Sequence, residues 1–88
     1  MDEDLRFRRG IFEIGSAIIR ENPTEAMLVL SQVLIVRAEQ MYVRDAIEYH
    51  GYCPLFRTVE PCDITPRYEF TLHTDEDGNT ALAGVVEV

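Results

Sequence analysis

His50, Cys53, Cys62 and His73 are the residues of this chain whose types could together hold a metal ion, in the spacing H-x2-C-x8-C-x10-H. Zinc takes four such ligands in a tetrahedron at about 2.0–2.3 Å. This spacing matches no standard zinc pattern, and Pro54, Pro61 and a later hairpin would have to bring the four side chains to one point. Two small cysteines and two ordinary histidines are the plainer reading. A metal-stabilised module and a Cys53–Cys62 disulfide stand as alternatives. The same residue types could supply a nucleophile and its base. However, neither cysteine has the helix N-terminus or cationic neighbour that favours a thiolate, and Cys53 lies just past the expected end of a helix, where the dipole opposes one.

Two groups of acids come next. Asp75, Asp77 and Asn79 resemble the opening of a calcium loop. An EF-hand loop needs glycine at its sixth position and glutamate at its twelfth. Here Gly78 is fourth and Val86 is twelfth, so Asp75, Glu76 and Asp77 read as a solvated acidic turn. Glu39, Asp45 and Glu48 lie among Arg37 and Arg44, with Arg44 and Glu48 spaced as an i,i+4 pair. They read as an ion-pair surface. No glycine-rich phosphate loop and no Ser–His–Asp arrangement occurs, so neither an enzyme nor a cofactor is expected.

Charge narrows the classes further. Sixteen acids face eight bases, all arginine, for a net charge of −8 on 88 residues. The lack of lysine removes lysine-nucleophile and Schiff-base chemistry. The acidity disfavours a sequence-independent grip on nucleic acid, which needs a basic surface, and an anionic membrane surface as well. The opening MDEDLRFRRG is charged where a signal peptide is apolar. Two cysteines are too few for a secreted disulfide framework, so a cytoplasmic location is the default.

The element expected to position these groups is a long helix over residues 23–50. Asn22 suits an N-cap, Pro23 suits the first helical position, and Gly51 can take the left-handed turn beyond the end. Ala26, Val29, Val33, Val36, Gln40, Val43 and Ile47 alternate steps of three and four, as a coiled-coil seam does. Two further apolar rows run beside this one, so burial on several sides is implied. Such a helix is about 42 Å long, while a compact domain of this length is about 31 Å across. The row Ala26–Ile47 is therefore the expected interface of a homodimer or higher oligomer.

A first helix is expected over residues 2–21, from the stripe Phe7, Ile11, Ile14 and Ile18, folding back on the second as an antiparallel hairpin. Residues 55–88 read as β-rich. Leu55 to Val59 is a possible edge strand between prolines. Arg67 to Thr74 and Thr80 to Val88 alternate as the arms of a β-hairpin, with Leu82, Val86 and Val88 on one face of the return arm.

The expectation is thus a single α+β domain, residues 1–88, with a two-helix hairpin followed by a C-terminal antiparallel β-hairpin. The function that fits is a small acidic, non-enzymatic protein–protein interaction module, an adaptor or inhibitor, that binds itself and an unidentified protein partner. It binds neither nucleic acid nor membrane. A second reading is an acidic mimic of nucleic acid, as small phage and mobile-element proteins can be, using Asp2, Glu3, Asp4, Asp75, Glu76 and Asp77.

Overall fold

The structure, a computed structural model, describes residues 4–88. After a 3-10 turn at Leu5–Phe7 come β1 (Arg9–Gly15), α1 (Ser16–Glu21), α2 (Pro23–Leu30), β2 (Leu34–Met41), β3 (Ala46–Tyr52), β4 (Arg67–Thr74) and β5 (Thr80–Glu87). The strands form one mixed sheet in the order β2-β3-β1-β4-β5, in which only β1 and β4 run parallel.

This overturns the expected two-helix hairpin. Among the described residues the longest helix is α2, eight residues. Asn22 and Pro23 start it as expected, though the Asn22 side chain makes no capping bond. It stops at Ser31, whose hydroxyl donates to the Leu28 carbonyl and whose amide bonds back to Met27. The next stretch, from Val33 to Tyr52, is rich in valine, isoleucine and tyrosine. Their branched or aromatic side chains lose χ1 freedom in a helix and pack well on a pleated sheet. The three-and-four spacing in that stretch is a by-product of its apolar content. The chain reverses through residues 42–45, where Asp45 adopts a positive φ of 48°, a region that aspartate tolerates better than most residues.

The first expected helix fails for a related reason. In β1 the period is two: Gly10, Phe12 and Ile14 are buried while their neighbours are half-exposed. Gly10 lies opposite Gly51 of β3. Both glycines are required by close approach. A Cβ on Gly10 would sit 2.7 Å from the Phe56 ring, and one on Gly51 would sit 2.5 Å from the Leu34 carbonyl oxygen.

Leu55 to Val59 does not form a strand. With Pro54 and Pro61 flanking it, the segment is irregular, yet it delivers Phe56 and Val59, both buried, to the core. Phe56 stacks on Tyr68 at 4.3 Å between centroids, and Phe12 stacks on Tyr49 at 5.3 Å. Around these rings gather Ala26 and Val29 of α2 with Val33 and Cys53. One face of the sheet is therefore covered by the helices and the 53–66 loop, and the other is open.

The C-terminal hairpin β4–β5 forms over the residues where alternation places it, with one change. Thr71 pairs with Gly84 but Leu72 with Leu82, so Ala83 is an extra, bulged residue. A bulge of one residue exchanges the faces of everything beyond it. Val85, not Val86, accordingly packs on the core, and Val86 is 55% exposed.

Candidate functional site

Two places on the sheet combine shape with chemistry. The first is its waist. β1 and β4 are joined by only two residue pairs, Ile11–Arg67 and Phe12–Tyr68, and the strands beyond them leave a cavity of about 620 Å³ lined by Glu13, Arg44, Arg67, Glu69 and Val88 among others. On the open face here, Glu13, Arg44, Glu48 and Arg67 form a closed square of ion pairs. Arg44 reaches Glu13 at 2.6 Å and Glu48 at 3.2 Å; Arg67 reaches Glu13 at 3.2 Å and Glu48 at 2.9 Å. His50 Nε2 lies 3.0 Å from the remaining Glu48 oxygen.

Glu48 is buried, at 9% exposure. The Arg67 guanidinium holds its carboxyl below the usual carboxylate range, with a smaller contribution from His50, against the opposing push of desolvation. Among the described residues, no buried side-chain nitrogen or oxygen lacks a partner. The square is thus self-satisfied: two acids and two bases neutralise one another and latch the two halves of a narrowly joined sheet. This is a structural use of the charges.

The second place is the outer edge at β5. From Thr80 to Val86 this strand holds no charged residue and no proline. Beside it runs a groove of about 480 Å³ between Leu28 and Gln32, Leu55, and Ala81 to Gly84. In line with it, at the start of α2 and β5, lies a second hollow of about 480 Å³ lined by Glu21, Asn22, Pro23, Thr24, Glu25 and Gly78 to Thr80. The unpaired backbone of an edge strand is a template for another strand, and the groove can take side chains on one side of it.

The structure does not bring His50, Cys53, Cys62 and His73 together. His50 is engaged with Glu48, Cys53 is fully buried, Cys62 is exposed, and His73 sits on β4, separated from β3 by β1. Among the described residues no group of three His, Cys, Asp or Glu side chains is placed to hold a metal. Burial pushes the Cys53 thiol up, which disfavours the reactive thiolate. Both cysteines are free.

The expected interface row is dispersed. Ala26, Val29 and Val33 are in the core, Val36 and Gln40 lie on β2, Val43 is in an exposed turn, and Ile47 packs against the core from β3. They share no surface because no helix joins them.

Asp75, Glu76 and Asp77 do form the β4–β5 turn, but Asp75 is occupied by it: Oδ1 accepts the amides of Asp77 at 3.0 Å and Asn79 at 2.9 Å. Asp4 pairs with Arg8 at 2.6 Å, and Asp2 and Glu3 lie outside the described residues. Sequence reasoning pairs Arg44 with Glu48, which the structure keeps, but as a turn-to-strand contact. It misses Glu13 and Arg67. The outward position of Glu13 between Phe12 and Ile14 in a period-two strand is the signal that could have found it.

No protein-family model, curated protein or solved structure matches the chain. Among the described residues, no helix is long and apolar enough to cross a membrane.

Proposed function

We propose that this protein is a small, non-enzymatic protein-interaction module that binds by adding an extended segment of a partner to β5. The observation that carries this reading is an eight-residue outer strand with no charge or proline from Thr80 to Val86, lying beside an apolar groove. Main-chain hydrogen bonds to the free edge supply affinity, and alternate side chains of the guest enter the groove between Leu28, Leu55 and Leu82. The bulge at Ala83 divides the edge into two regular runs, Thr80–Leu82 and Gly84–Glu87. The expected self-association loses its motive, since the helical row that suggested it is gone, and the β5 edge is one place where a second copy could dock.

The test is fluorescence anisotropy with a labelled ten-residue peptide of alternating valine and threonine. The unmodified chain binds it. Ala83→Pro, which removes a donor on the edge, and Ala81→Lys, which places a charge there, each weaken binding at least tenfold while circular dichroism stays unchanged. Equal binding by all three proteins, or none by the unmodified chain, contradicts the reading.

A further inference from the structure

The two hollows beside β5 differ in chemistry, and the difference assigns the partner. α2 runs alongside β5 in the same sense, since Thr24 and Glu25 border Thr80 while Leu28 and Gln32 border Ala81 to Gly84. Along this path the lining changes from acidic to apolar. At the Thr80 end stand Glu21 and Glu25, next to the turn that carries Asp75, Glu76 and Asp77. Among the described residues, no basic side chain lines that hollow. At the far end the lining carries no charge: Leu28, Gln32, Leu55 and Ala81 to Gly84, and beyond it Glu87 is neutralised by Arg57 at 2.6 Å. The partial positive charge at the start of α2 is roughly half a unit, against five carboxylates in the same neighbourhood.

We infer that the partner is an extended protein segment that pairs antiparallel to β5, apolar at alternate positions, with lysine or arginine at its carboxyl end. Antiparallel pairing is the more stable arrangement per residue, and it sets the guest's carboxyl end beside Thr80, where the acids are. The apolar positions fill the groove by Leu28 and Leu55. A second copy of β5 is a poor guest by the same criterion, because the strand has no lysine or arginine to bring to the acidic end.

This inference rests on the strand-addition reading, and its test separates the two. Four ten-residue peptides share an alternating valine–threonine body and differ at one end: two lysines at the C-terminus, two lysines at the N-terminus, two glutamines at the C-terminus, or two glutamates at the C-terminus. Anisotropy at low salt is expected to rank the C-terminal lysine peptide at least tenfold above the glutamine peptide, with the glutamate peptide weakest. The advantage shrinks in Glu25→Gln/Asp77→Asn and as salt is raised, since exposed charges are screened.

If lysine and glutamine peptides bind equally, the inference is overturned while strand addition stands. A preference for N-terminal lysine overturns the antiparallel assignment. If no peptide binds, strand addition itself fails. Light scattering on the full chain closes the remaining case: a dimer that Ala83→Lys dissolves makes a second copy the guest and overturns the inference.

Discussion

The two outer strands of this sheet obey opposite rules. β2 carries Arg37 and Glu39, which pair at 2.9 Å across the open face, and a register shift at Val36. β5 also carries a bulge, but its charges stop at Glu87. Charged side chains on an outer strand deter pairing with another chain. β2 is defended in that way, and β5 is not. The difference extends inward. β2 is held against Gly51 with no room for one methyl group, whereas β5 lies beside a groove that is still open. The same sheet thus has one edge guarded by charge and one that is not.

The largest way to break the contrast is at the glycines. Gly51→Ala forces a Cβ to within 2.5 Å of the Leu34 carbonyl oxygen and 2.7 Å of Val33 Cγ1, so β2 must shift. A cost of about 3 kcal/mol is expected in urea unfolding. Gly84→Ala on the opposite edge meets only Thr71 Oγ1 at 3.8 Å. It should be neutral, or stabilising by about 0.5 kcal/mol through the unfolded chain.

The second prediction concerns the latch that holds the two edges in one sheet. Glu48→Gln should cost about 2 kcal/mol at pH 7, since hydrogen bonds from charged partners are lost. The sign with pH is fixed. The folded-state pKa of Glu48 is depressed, chiefly by Arg67. Its contribution is therefore complete above the unfolded value of about 4.3 and drains away as pH falls through the lower folded value. The stability gap between parent and variant should narrow in acid. A gap that stays constant from pH 7 to pH 3 contradicts the assignment.

A smaller effect comes from moving one charge between edges. Ala83→Lys on β5 should weaken the valine–threonine peptide about tenfold, equivalent to about 1.4 kcal/mol. Ala38→Lys, also at an exposed position but on β2, should leave binding unchanged. The smallest is Arg37→Ala. Its ion pair with Glu39 is solvent-exposed, and such pairs contribute about 0.2–1 kcal/mol. The variant should unfold at nearly the parent's urea midpoint, and any new peptide affinity at β2 would sharpen the role of its charge.

Local chemistry decides which parts of the fold are legible in the sequence. The hairpin at residues 67–87 is readable because Tyr68, Phe70 and Leu72 alternate cleanly around a turn that Gly78 and Asp75 specify. The start of α2 at Asn22–Pro23 is readable for its turn and cap residues. β1, β2 and β3 are not. Their core faces are carried partly by glycines, Gly10 and Gly51, which register as gaps in an apolar pattern rather than as buried positions. Their valines and isoleucines also fall at intervals of three and four as well as two, so periodicity alone favours a helix. Propensity is the discriminating signal: Ile35, Val36, Ile47, Tyr49 and Tyr52 are residue types that favour strands. The site is hidden for a different reason. The groove joins α2, Leu55 and β5, three segments separated in sequence, and the Ala83 bulge that changes which valine is exposed leaves no mark in composition.

The most direct test of β5 as the binding edge is amide hydrogen exchange, measured residue by residue with and without the valine–threonine peptide. Binding at β5 predicts slowed exchange confined to Thr80–Glu87 and the groove residues Leu28 and Leu55, with β2 unchanged. Protection along Leu34–Met41 instead, or protection nowhere at peptide concentrations that saturate the anisotropy signal, contradicts it.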